Sequence, residues 1–188
     1  FILLSVGLIY VEYTTREIKT TLNFEQQYNA IKKNATTGDI ILRSGTGFWS
    51  DRFRAANTHD KRFSHVGIIK IIDGEFHVLH ASGNQVTGSG VVSIVTLENF
   101  IAASKDAGLV RLKTFSPEIF LQNAEAYINT PFDWEFDKND DSKIYCTELI
   151  YWSLKKIDPN FSFEEVDGFI LPEACLDPNY FEEIKIDF

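Results

Sequence analysis

The 188-residue chain has no methionine, only two cysteines and only five prolines. Two cysteines, Cys146 and Cys175, are too few for a disulfide scaffold. A single bridge between them stays open beside the reading of two free thiols. No CxxC pair occurs, which excludes a cysteine-based zinc site. The absence of methionine, even at position 1, is the pattern expected of a mature or trimmed chain. Long hydrophobic runs are missing too. The apolar segment at residues 1–11 (FILLSVGLIYV) is about half of the ~20 residues needed to span a bilayer. It reads equally as the remnant of a signal peptide or membrane anchor and as a buried helix packed on the domain. Basic residues are scarce: 18 Lys and Arg against 27 Asp and Glu leave a formal charge of −9. Such a chain is repelled by a phosphate backbone, so nucleic acid is not an expected partner. The short basic stretch Arg52, Arg54, Lys61 and Arg62 reads as a solvated surface.

What is present is an ordinary folded composition, 44% apolar, with phenylalanine used 16 times. The length suits one domain. We expect residues 1–37 to supply an apolar segment and a helix packed on the domain, and residues 38–188 to form a single catalytic domain. Asn23 with Gln26 resembles a capping box, opening a helix to about residue 33. Residues 39–43 (DIILR) read as a buried strand. Residues 44–57 begin with glycines and then carry Phe48, Trp49, Phe53 and Ala56 at helical spacing. Strands are expected at 63–72, 75–81, 91–96 and 109–114. Helices are expected at 97–104, 117–129 and 145–156. The tail holds loop and an edge strand bearing Ile184 and Ile186. The class is α+β.

Asp73-Gly74 is a two-residue hairpin turn. With these as the loop, Ile72 faces Glu75 and Gly67 faces His80. His65 shares a face with Gly67, so His65 and His80 become diagonal neighbours on one side of the sheet, about 7–8 Å apart at the backbone. Gly67 leaves room between them. His77 falls on the opposite face, because a strand has period two. That parity removes the metal pair which the His77/His80 spacing invites, and no further ligands are evident. No metal and no other cofactor is expected. A lone strand histidine is most often a packed residue; two placed together by a turn weaken that reading. His59 lies in a polar stretch and is expected at the surface.

Cys146 sits in IYCTELIYWSLKK, whose Leu149, Ile150, Trp152 and Leu154 mark a helix. The acidic, turn-rich residues 137–142 precede it, so Cys146 falls in or near the first turn. A helix N-terminus and a nearby imidazolium both favour a thiolate. The same N–H groups suit an oxyanion. Most free cysteines are simply small buried hydrophobes, and Cys175 fits that description. Glu148, two residues on, points away from Cys146 and is left out of the chemistry. Asp39 is expected to fix a turn. Phe48 and Trp152 are expected in the core.

Taken in order, GDIILRSG (38–45), FSHVGII (63–69), VLHA (78–81) and YCTELIYW (145–152) resemble the circularly permuted NlpC-type, YiiX-like papain-fold hydrolases. The likeness runs from about Asp39 to Pro172. It implies an antiparallel sheet or partial barrel packed on helices, with the histidine strand preceding the cysteine helix. By position it implies Cys146 as nucleophile, His65 as base and His80 as the third polar residue. Many YiiX-like members have glutamate at that third place. Histidine there is the pattern of the related lecithin retinol acyltransferase group. The resemblance therefore implies either a peptide or a lipid acyl substrate. Cleavage of amides in cell-wall-derived peptides is the first expectation, lipid acyl transfer or thioesterase action the second, and an inactive binding module the third. Tyr145, Trp49 and Ser64 are candidate pocket residues. The apolar start and the resemblance imply an envelope or periplasmic protein, exported or held at a membrane.

Overall fold

The computed structural model describes residues 24–186, apart from positions 85 and 103. Residues 1–11 and the cap at Asn23 lie outside the described residues. Helix α1 covers 24–34. Strand β1 (Ile40–Gly45), helix α2 (Phe48–Ala56), and strands β2 (His65–Ile72), β3 (Glu75–Asn84) and β4 (Ser89–Thr96) follow. Helix α3 (Leu97–Ala102), strand β5 (Ser104–Leu112) and helices α4 (Pro117–Glu125) and α5 (Cys146–Lys155) come next. A 3-10 turn at Pro172–Leu176 and strand β6 (Phe181–Ile184) end the chain.

The strands form one open antiparallel sheet in the order β4-β3-β2-β1-β5-β6. Its central strands are buried on both faces, which is why they read as apolar runs rather than as alternation. One face, with Ile40, Leu42, Val66, Ile68 and Leu79, packs on α4 and α5 through Phe120, Leu149, Ile150 and Leu154. The other, with Ile41, Ile69, Val78 and Leu109, packs on α1 and α3 through Ile31, Leu97 and Phe100. Asp73 and Gly74 both hold positive φ, 51° and 84°, as a type I′ turn requires. The pairing runs from Ile72 opposite Glu75 to Ile68 opposite Leu79, the register that the turn dictates.

Three expectations need correction. Strand β5 begins at Ser104, five residues before the apolar run, because its polar start pairs with the end of β1. Gly108 is needed in that stretch: a Cβ there would lie 2.5 Å from the Phe63 ring. Helix α4 stops at Glu125 rather than 129. The following residues run along β4 instead: the Asn129 N–H donates to the Val92 carbonyl, and the Val92 N–H to Thr130. They cover an edge that would otherwise be open. Phe48 is not in the core. It is 63% exposed, and no residue of α2 is buried. Trp152 is partly buried against the α5 side of the core.

Asp39 fixes the entry to β1. Its carboxylate accepts from the Thr36 N–H at 2.7 Å and takes a two-pronged bond from Arg111, both prongs at 2.8 Å.

Candidate active site

A cleft of about 200 Å³ opens where β1 ends and β2 begins. Here side chains from both faces of the sheet reach one space. Cys146, Tyr145, His65, Ser64 and Trp49 all line it, together with Arg43, Phe53, Trp134 and Phe136. His80 stands behind, 5% exposed, and is not part of the wall.

His65 is the first residue of β2 and His80 lies in β3. The turn register brings them together: His65 Nε2 and His80 Nδ1 are 2.9 Å apart. One of the two nitrogens donates and the other accepts, leaving Nδ1 of His65 uncommitted to this bond. Phe100 of α3 packs on both rings, at 5.6 and 5.2 Å between centroids. Gly67 is necessary to the arrangement. A Cβ there would sit 2.4 Å from Val78 Cγ1 and 3.2 Å from His80 Cβ. His77 makes only a local contact with the Glu75 carbonyl, and His59 is exposed.

Cys146 is the first helical residue of α5, after an extended Tyr145. Glu148 secures this start by accepting from the Tyr145 N–H at 3.0 Å. Tyr145 in turn is anchored by its hydroxyl, which accepts from the Ile170 N–H at 2.9 Å. Both cysteines are free and buried. Burial opposes the thiolate that a helix N-terminus favours. Burial pushes the Cys146 thiol up to about 11, and backbone N–H groups of Val66 and Thr147 together with the Arg43 charge offset only part of this. Burial, with Arg43, drives His65 well below the ordinary histidine value and His80 down to about 4. Burial thus disfavours charge on the resting thiol and on both imidazoles alike. Glu148 is itself buried and pushed up to about 8, by burial first and then by Asp133, Asp137 and Asp140.

The sequence reading missed Arg43 and most of the aromatic wall. Arg43 ends an apolar strand, and its backbone pairs with that of His65. Phe53, Trp134 and Phe136 also line a second hollow of about 420 Å³ beside the cleft, bounded by Arg52, Phe169 and Leu171. Among the described residues, no group of three or more His, Cys, Asp or Glu is arranged to hold a metal ion.

An antiparallel sheet with the histidine strand before the cysteine helix defines a permuted papain-like hydrolase. The model of the permuted papain-like amidase family, the YaeF/YiiX or C92 family, matches residues 34–166, well over half of the chain. The chain belongs to this family, whose general chemistry is cysteine-dependent hydrolysis of amide bonds. Among solved structures it is similar to one described as the metalloprotein YiiX from Escherichia coli O157:H7. The two are 20% identical, with a TM-score of 0.67, over 82% of this chain and 99% of that one. That likeness speaks for the fold. No curated protein matches the sequence.

Proposed function

We propose that Cys146, His65 and His80 form a catalytic triad that cleaves an amide in a small peptide, of the kind released from cell walls. The observation that carries this reading is the 2.9 Å His65–His80 contact behind a cleft that His65 shares with Cys146 at the start of α5. His80 fixes the ring of His65 through Nε2, and His65 takes the thiol proton through Nδ1. Because burial disfavours the charged form of both partners, the proton moves as the sulfur attacks, rather than beforehand. Sulfur bonds to the carbonyl carbon, and the oxyanion faces the N–H groups at the α5 start. The intermediate collapses, the C–N bond breaks, and His65 returns the proton to the leaving amine. Water, deprotonated by His65, then attacks the thioester carbon; the C–S bond breaks, the acid is released, and His65 returns the proton to the Cys146 sulfur.

A second reading is a lipid acyl substrate, in an acyltransferase or thioesterase reaction. The aromatic wall shared by the cleft and the neighbouring hollow favours it, since Trp49, Phe53, Trp134 and Phe136 offer a continuous apolar path. Membrane association through residues 1–11 would accompany this reading. The described residues contain no helix long and apolar enough to cross a membrane.

Incubation with panels of wall peptides and of phospholipids, read by product analysis and intact mass, tests both. The expected result is peptide turnover that Cys146→Ala abolishes, with loss of at least about a thousandfold. An acyl adduct on Cys146 formed from lipid alone would replace the first reading with the second. Turnover retained in the folded Cys146→Ala protein would overturn both.

A further inference from the structure

Arg43 is a charged residue with no ion-pair partner among the described residues. Its guanidinium lies over the Phe100 ring, 4.6 Å from the centroid, and Nη1 donates to the Phe100 carbonyl at 2.7 Å. Nε is enclosed and has no hydrogen-bond partner. No carboxylate within ion-pair distance meets Arg43 among the described residues, although seven other pairs form there. A cation left unpaired in a low-dielectric place is costly. The residue nevertheless lines the cleft with Cys146 and His65, and its strand position is the one paired with His65.

We propose that Arg43 is the fixed positive charge against which the Cys146 thiol ionises. It is a positioning residue, acting through its field and not by contact with the scissile bond. Two consequences follow from one charge. It disfavours a proton on His65 and His80, so the base stays available at acid pH. It also favours negative charge on sulfur, and on the oxyanion that follows, when His65 removes the thiol proton. Burial alone would satisfy the first need and defeat the second; the cation serves both. The titratable groups on the surrounding elements are His65 on β2, His80 on β3, Cys146 and Glu148 on α5, and Tyr145 before it. Asp51, Arg52 and Arg54 on α2, Glu98 on α3, and Lys105 and Asp106 on β5 are the nearest in sequence on the other elements; Lys70, Glu75, His77 and Arg111 lie further along β2, β3 and β5. Arg54 and Asp51 are paired with each other, Glu148 is held by the Tyr145 N–H, Asp106 accepts from the Ala107 N–H, and Glu98 is exposed; none of these carboxylates forms an ion pair with Arg43.

The proposal rests on Cys146 being the nucleophile, which the Cys146→Ala turnover assay above tests separately. The test here follows a thiol that is still present: the pH profile of Cys146 alkylation by iodoacetamide, with the modified site assigned by peptide mapping. Arg43→Gln should move the thiol limb to higher pH by a unit or more, slowing alkylation at neutral pH by about tenfold. The acid limb of turnover should also move to higher pH, kcat should fall with KM for a neutral substrate unchanged, and Arg43→Lys should restore most of the profile. A superimposable Arg43→Gln profile in a folded protein overturns the proposal. So does a rise in KM confined to anionic substrates, which would make Arg43 a substrate-binding residue. If Arg43→Gln does not fold, the wild type still decides. Its ratio of alkylation rates, iodoacetate over iodoacetamide, should exceed that of a free thiol, and no excess overturns the proposal.

Discussion

One flank of Cys146 carries the Arg43 cation and the histidine pair, the other a group of carboxyls. On the sheet side stand Arg43, His65 and His80, with no carboxylate paired to them among the described residues. On the side that precedes α5 stand Asp133, Asp137, Asp140 and the buried Glu148. The basic residues near that side are drawn off into surface pairs, Lys138 with Glu165 and Lys143 with Glu135. Asp133 is buried, and spends its carboxylate on the Glu135 and Asp137 N–H groups of its own loop. The difference teaches that position, not mere proximity to the sulfur, sorts these groups. The cationic flank faces the cleft, while the acidic flank supports the start of the helix.

Removing the base from the cationic flank should have the largest effect. His65→Ala should lower kcat by roughly 10²–10⁴, the usual range for a general base, with less change in KM. Steady-state kinetics on a peptide substrate checks this, and a loss under threefold would take His65 out of the mechanism. His80→Ala should cost about tenfold to a hundredfold, since it leaves the base present but unoriented. His80→Glu breaks the contrast directly, by placing a carboxylate beside Arg43 and His65. It should recover much of the activity, because a carboxylate also accepts from His65 Nε2. It should also raise the His65 pKa, shifting the acid limb of kcat/KM to higher pH.

The wild-type pH profile sharpens the same point. Turnover needs neutral His65, and His65 is held well below 6.5. Activity should therefore stay flat as pH falls through 6.5 and decline only well below it. A midpoint at the ordinary histidine value would contradict the buried, cation-flanked setting.

The histidine pair was legible in the sequence because a two-residue turn sets register locally: Asp73-Gly74 leaves one way to align the strands that carry His65 and His80. The apolar period after Cys146 likewise marked α5 to within a residue. Arg43 was not legible as part of the site. Its neighbourhood depends on the pairing of β1 with β2, and the intervening α2 segment gives no turn from which to count. Phe48 is exposed for a related reason. A helical stripe predicts a buried face only if something packs on it, and α2 buries none of its residues. The polar start of β5 shows the reverse case, where pairing with β1 outweighs the weak strand preference of Lys105-Asp106.

Glu148 offers the smallest effect and the cleanest view of the acidic flank. A carboxylate in the first turn of a helix is ordinarily favoured by the helix dipole, by about 0.3–1 kcal/mol. Here burial and three aspartates act against it, and they prevail, since the group is pushed up from 4.5 to about 8. The native protein thus holds a proton that the unfolded chain has released between those two values. Stability must fall as pH rises across that window, and the penalty is complete above it. Glu148→Gln keeps an oxygen to accept from the Tyr145 N–H and removes the charge. Its stability should change less between pH 5 and 9 than that of the wild type. Thermal or urea unfolding should show a gain of roughly 2 kcal/mol for the variant at the alkaline end relative to the acid end. Parallel curves for the two proteins would mean that Glu148 is ionised in the native state, and that the helix start, rather than its acidic surroundings, governs this carboxylate.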